Sequence, residues 1–250
     1  MIDAASLSPW LFVVAPLVII AAYIVFGLSG FGSTVIAVPI LAHFLPVSYL
    51  VPLMALLDLG SAAIMGRASR EHLSTEELKR LVPWMFAGFA IGVTLLVGVP
   101  DRNLRIALGL FAASVGIHGI LNPKLHGTIS KYWSIPAGVT GGAVATVFGA
   151  GGPIYATYLS GRLHDKSRIR ATVATLISIS AFSRAVIYAV TGLLLYKAIM
   201  MGGLILAPFV WIGLKLGHRI HLGLSHEQMR RAVGALLVLT GLSLLARAIA

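Results

Sequence analysis

Cysteine is absent from this 250-residue sequence, and charge is scarce: 11% of residues are charged and only 8 are acidic. The missing cysteines exclude disulfides, thiolate metal sites and thiol-based transport chemistry. Soluble domains carry about 25% charged residues, so this chain lacks the charge to coat a surface facing water. What it has instead is apolar bulk: 58% hydrophobic residues and a mean hydropathy of +0.94. A soluble reading would demand one very large core with almost no shell, which surface-to-volume scaling forbids. The composition describes a polytopic, all-α integral membrane protein.

The formal charge is +11, from 19 Lys and Arg against the 8 acids. Most basic residues sit in short loops between apolar runs, where they set topology. Aromatic residues are not interleaved with them to make a stacking platform, so no nucleic-acid partner is expected. The start, Met1 to Pro9, has no positive n-region, and no small-residue cleavage site follows the first apolar run. That run is expected to be a retained membrane segment.

Apolar runs give ten segments in a single transmembrane domain, 1–250. The first half holds 9–29, 33–46, 48–66, 81–99 and 104–121; the second holds 133–149, 152–163, 168–192, 197–216 and 231–249. Segments 33–46 and 152–163 are too short to cross a hydrocarbon core of about 30 Å as straight helices. Each follows a glycine-rich break, Gly27-Leu28-Ser29-Gly30-Phe31-Gly32-Ser33 in one half and Phe148-Gly149-Ala150-Gly151-Gly152-Pro153 in the other. The breaks are 119 positions apart. Near the ends of the halves Leu104–Gly109 resembles Met229–Gly234 at an offset of 125, shared by Pro83 with Pro208 and Gly92 with Gly217. The expectation is two related repeats, 8–122 and 132–250, each with a short glycine-preceded segment.

If all five segments of a half change sides, the odd number inverts one repeat against the other. Arg102, Arg105, Lys197 and Arg247 then lie on one side, Arg184 lies inside a segment, and the other fourteen basic residues share the opposite side. If each short segment joins its predecessor as one broken crossing, the split is 10 against 8. The positive-inside rule favours inverted repeats with both termini outside the cytoplasm.

Irregular backbone at membrane depth is tolerated only where it is buried in protein or lines a cavity. Paired breaks in two halves point to a transporter's binding site, and free amides at the start of each short helix favour an anion. The candidate substrate-binding residues are therefore Gly30, Phe31, Gly32, Ser33 and Thr34 in one half, with Thr146, Gly149, Ala150, Gly151, Gly152 and Tyr155 in the other. The alternative is that these glycines only let helices pack closely. Arg184 adds a guanidinium near the bilayer centre, at a cost of at least about 2.5 kcal/mol. It needs a bound anion, backbone carbonyls or a carboxylate, and Asp58 is the one acid inside an apolar segment. The two are 126 positions apart, close to the repeat offset, so they are expected to face each other as a structural pair, as competitors with substrate, or both.

His43 and His118, in or near segment interiors, are candidate proton carriers beside Asp58. Either could equally be a buried histidine satisfied by a backbone carbonyl. No histidine pair has the spacing and acidic company of a metal site, so neither metal nor cofactor is expected. Trp10, Trp84, Trp133 and Trp211 mostly fall near segment ends, as interfacial anchors do.

At the glycine breaks the sequence resembles a known family. Gly27 to Thr34 followed by Val38-Pro39, together with Gly149-Ala150-Gly151-Gly152-Pro153, resemble the paired signatures of TauE/SafE sulfite exporters. Arg184, Tyr188 and Gly192 resemble that family's Arg, Tyr, Gly pattern on one second-half helix. Ser33 stands where many members continue the glycine run, so that half is expected to contact substrate differently. The resemblance covers nearly the whole chain. It implies a multi-pass permease of the bacterial inner membrane for sulfite, sulfonates or related sulfur-containing anions.

The expected function is thus a membrane transporter of small oxyanions, partnered by its anionic substrate and the lipid bilayer. A proton or sodium ion is the candidate coupling ion, and a homo-oligomer is compatible with the sequence. The alternatives are a non-transporting scaffold or accessory subunit, or a membrane-embedded enzyme. An enzyme would need a buried nucleophile–base or metal constellation, and none is visible.

Overall fold

The computed structural model describes residues 10–29, 32–65, 72–121, 129–219 and 226–249. Gly30 and Phe31 of the first glycine break lie outside the described residues. Ten α-helices are found among the described residues, one for each apolar segment. They are α1 (Leu11–Ser29), α2 (Ser33–Leu41), α3 (Val47–Met65), α4 (Thr75–Gly98), α5 (Asp101–Leu121), α6 (Ser134–Phe148), α7 (Gly152–Arg162), α8 (Lys166–Val190), α9 (Lys197–Arg219) and α10 (His226–Ile249). The 9-residue α2 and 11-residue α7 span roughly 14 and 17 Å at 1.5 Å per residue, about half a hydrocarbon core.

The outer surface is apolar. Leu17, Val97, Leu121, Leu204 and Leu239 are largely exposed, and so are all four tryptophans. Among the described residues, six helices are long and apolar enough to cross a membrane, with only 22–44% of each crossing window buried inside the protein. Lipid tails are as apolar as leucine, so burial of apolar area cannot by itself hold these helices together. Close packing at small residues has to do so.

The helices pack most extensively in three pairs, α4 with α6, α1 with α9, and α5 with α10. Glycines line each contact. A β-carbon on Gly88 would stand 2.8 Å from the Ala143 amide nitrogen of α6, and one on Gly213 would stand 2.8 Å from the Ile20 carbonyl oxygen of α1. At the α5–α10 seam a β-carbon on Gly109 would lie 2.9 Å from the Gly241 carbonyl oxygen, and one on Gly116 would lie 2.5 Å from that of Gly234. These are distances that no side chain survives without moving a backbone.

The pairs obey a permutation. Advancing each helix by five positions carries α4–α6 onto α9–α1 and returns α5–α10 to itself. The glycines follow at the 125-position offset: Gly88 and Gly92 match Gly213 and Gly217, and Gly109–Gly241 matches Gly234–Gly116. Packing and sequence offset therefore share one register.

Candidate functional site

Both glycine breaks turn the chain sharply before a short helix. Gly32 caps α2 at φ 106° and Gly149 ends α6 at φ 72°, both left-handed conformations that residues with a β-carbon adopt at a cost of about 1–2 kcal/mol. Gly151 differs: its φ of −69° suits any residue. What it needs is room, since a β-carbon there would stand 2.6 Å from the Gly141 carbonyl oxygen. Pro153 sits in the first turn of α7, where a missing N–H costs nothing.

The two breaks meet. A β-carbon on Gly149 would collide with the Thr34 side chain of α2 and stand 3.2 Å from Arg184 Nη1. Thr34, Ser33, Thr146 and Ala150 are buried there, and Arg184 on α8 is only 2% exposed. Arg184 Nη1 donates to the Ala145 carbonyl oxygen at 3.1 Å, and Tyr188, one turn along α8, donates its hydroxyl to the Thr146 carbonyl. The Ala145 carbonyl is shared with the Gly149 amide, 2.8 Å away, and the Thr146 carbonyl belongs to the last turn of α6, where backbone donors run out.

Asp58, on α3 and 9% exposed, faces Arg184 as its position predicts. The nearest approach is 3.7 Å, from Nη2 to Oδ2. The carboxylate is held more closely by hydroxyls. Tyr23 donates to Oδ1 at 2.7 Å, Ser33 to Oδ1 at 2.9 Å and Thr34 to Oδ2 at 2.7 Å. Asp58 is thus drawn toward the first-half break while Arg184 is anchored to the second.

Arg184 Nε and the Tyr155 hydroxyl are buried without a hydrogen-bond partner among the described residues. Tyr155 lies in the first turn of α7 with its ring against Gly141 and Gly151, within electrostatic reach of Arg184. An unpaired buried donor costs about 1–3 kcal/mol. Both are donors left uncommitted in the surroundings of the second break, and an oxyanion accepts such donors.

Of the predicted residues, Ser33, Thr34, Asp58, Thr146, Gly149, Tyr155 and Arg184 come together in this region, with Gly32, Ala150, Gly151 and Gly152 forming the turns. The histidines do not join them. His43 Nδ1 lies 3.0 Å from the Pro39 carbonyl oxygen and its Nε2 lies 2.9 Å from Ser243 Oγ, while His118 is on the exposed face of α5.

Sequence reasoning missed Tyr23, a fully buried phenol on α1 that nothing distinguishes from its apolar neighbours until Asp58 is placed beside it. It also missed Glu77. Counting from the apolar run starts the fourth segment at 81, but α4 begins at Thr75, so Glu77 is helical and only 2% exposed. It accepts from Tyr158 at 2.7 Å, Arg80 at 2.9 Å and Arg162 at 3.0 Å. The signal was the capping pattern Ser74-Thr75-Glu76-Glu77, which marks a helix start ahead of an apolar run.

A family model for the sulfite exporter TauE/SafE matches residues 15–244, from within α1 into α10. The chain is 26% identical over 194 residues to a probable inner membrane transporter protein, TsaS, of Comamonas testosteroni, covering 77% of this chain and 81% of that one. No solved structure matches it. Paired helix breaks, six described helices of spanning length and a family match over nearly the full length agree: the chain belongs to the sulfite exporter TauE/SafE family and is a multi-pass inner membrane transporter rather than an enzyme.

Proposed function

We propose that this transporter carries small sulfur-containing oxyanions such as sulfite or sulfonates, bound between the two glycine breaks. The observation that carries the reading is Arg184: 2% exposed, with Nε unpaired and the nearest carboxylate oxygen 3.7 Å away among the described residues. A structural ion pair would close that distance. Here the guanidinium keeps a free donor edge, and its planar fork matches two oxygens of a sulfite or sulfonate group. Tyr155, the Gly152 amide and the first-turn amides of α2 supply further donors, and Asp58 balances the charge when no anion is bound. In this reading the halves are inverted repeats, and the site lies between them near the midplane.

The test is counterflow in liposomes of purified protein loaded with unlabelled sulfite, sulfoacetate, thiosulfate or sulfate. Exchange of at least one radiolabelled anion is expected. Arg184→Ala should lower the affinity for it by about thirtyfold or more, as truncation of a buried charged partner costs about 2–5 kcal/mol. Exchange of none of the four would overturn the reading, and so would an Arg184→Ala protein that exchanges normally.

A further inference from the structure

Arg184 and Asp58 are a balanced pair, one positive and one negative charge in a site nearly sealed from water. An anion that lodges on Arg184 turns that pair into a site of net negative charge. Uncompensated buried charge costs several kcal/mol, and one arriving positive charge would remove that cost. The surroundings of Asp58 say which charge it is. Its oxygens are reached by hydroxyls on two other helices, Tyr23 of α1 and Ser33 and Thr34 of α2, all at 2.7–2.9 Å.

A hydroxyl both donates and accepts. When Asp58 takes up a proton, one of the three can turn over to accept from it while no heavy atom moves. A metal cation is served less well. Hard cations need about six oxygen ligands spread around them, and here the carboxylate and its three hydroxyls are already closed to hydrogen-bonding distance, 2.7–2.9 Å. Among the described residues, the charged and titratable groups facing Asp58 include Arg184 from α8 and Tyr23 from α1, with Tyr155 of α7 and Tyr188 of α8 around the guanidinium. His43 is turned toward carbonyls of α2 and Ser243 of α10, away from the pair.

We infer that Asp58 takes up one proton for each anion bound at Arg184, so that the protein is a proton–anion cotransporter. The inference rests on the anion site proposed above, and it assigns the coupling ion and the residue that carries it. Positive charge bound together with the anion means movement in the same direction, so an acid compartment drives the anion out of itself.

The experiment uses the full chain in liposomes with the membrane potential clamped at zero. Thiosulfate and sulfate are the probes beside sulfite, because neither takes up a proton of its own near neutrality. Absence of counterflow for every probe overturns the anion site itself. Where counterflow occurs, a one-unit inward acid gradient should drive about tenfold accumulation, and a sodium gradient none. Accumulation driven by sodium alone, no response to acid, or net movement toward the acid side overturns the coupling.

A second readout needs no functional variant. Adding thiosulfate or sulfate to wild-type protein should produce, in the infrared difference spectrum, the carbonyl stretch of a protonated carboxylic acid. Tyr23→Phe and Thr34→Val each remove one hydroxyl from a different oxygen of Asp58, so each should shift the frequency of that band. No band, or a band that neither substitution moves, puts the proton elsewhere and overturns the assignment.

Discussion

Glu77 of α4 and Arg162 of α7 lie 85 positions apart in the chain and meet at 3.0 Å, at the end of α7 opposite the glycine break. Arg80 and Tyr158 complete the contact, and Arg162 also donates to the Ile129 carbonyl at 3.0 Å. One buried carboxylate therefore ties the start of α4, the chain before α6 and the end of α7 together. The same helix that begins at the second glycine break ends at this charged knot.

Breaking a buried pair by removing one partner costs about 3–5 kcal/mol, and the figure belongs at its lower end here because the Arg80 and Arg162 side chains are 27% and 23% exposed. Glu77→Ala should lower stability by about 3 kcal/mol, whereas Arg80→Ala, which leaves Arg162 and Tyr158 on the acid, should cost about 1 kcal/mol or less. Thermal unfolding in detergent separates the two, and equal losses would mean that the acid is not the centre of the contact.

Gly149 and Gly192 have nearly the same backbone, φ 72° and 78°, but different surroundings. A β-carbon on Gly192 meets nothing within 4 Å, whereas on Gly149 it collides with Thr34. Gly192→Ala should therefore carry only the backbone term, about 1–2 kcal/mol. Gly149→Ala should add overpacking of about 1–3 kcal/mol and abolish anion exchange. Comparison of unfolding temperatures and of counterflow in the two variants checks both parts.

The α5–α10 seam offers a matched pair on one helix. A β-carbon on Gly116 would stand 2.5 Å from the Gly234 carbonyl, while on Gly119 its nearest neighbour is 3.7 Å away. Gly116→Ala should destabilise by about 1–3 kcal/mol, and Gly119→Ala should be neutral or gain up to about 1 kcal/mol from helix propensity. Thermal unfolding of the two variants reads the difference directly.

The absence of cysteine makes the chain a ready background for topology mapping. If the halves are inverted, Lys131→Cys reacts with a membrane-impermeant maleimide only from the cytoplasmic side, and Lys197→Cys only from the opposite side. Labelling of both from one side would make the repeats parallel.

The long helices were legible because the bilayer imposes a length on apolar runs, and the short α2 and α7 because a glycine-rich break precedes each apolar run. The Asp58–Arg184 encounter was legible for a related reason: a charge inside an apolar segment has few places to go. Tyr23 was not, because a phenol among isoleucines and alanines carries no sign of its partner until α1 and α3 are brought together. Glu77 escaped because α4 runs six residues beyond its apolar stretch, so hydropathy placed its start too late. The Gly88–Gly213 and Gly116–Gly241 correspondences were present in the sequence at the 125-position offset. They became visible only when the packing gave a reason to look at those glycines among 27.

The swap of α4 and α9 between the halves bears on how the protein is made. The extensive neighbours of α4 are α6 and α8, and those of α1 include α9, so neither half encloses a core of its own. A ribosome that has delivered α1 to α5 into the membrane has made a set of helices whose glycine faces still point at lipid. α4 must wait for α6, and α1 must wait for nearly the whole chain. Biogenesis of this carrier is therefore a late, collective event in which the second half completes the first, and a chain truncated after α5 would be delivered to the membrane's quality control rather than left there as half a transporter.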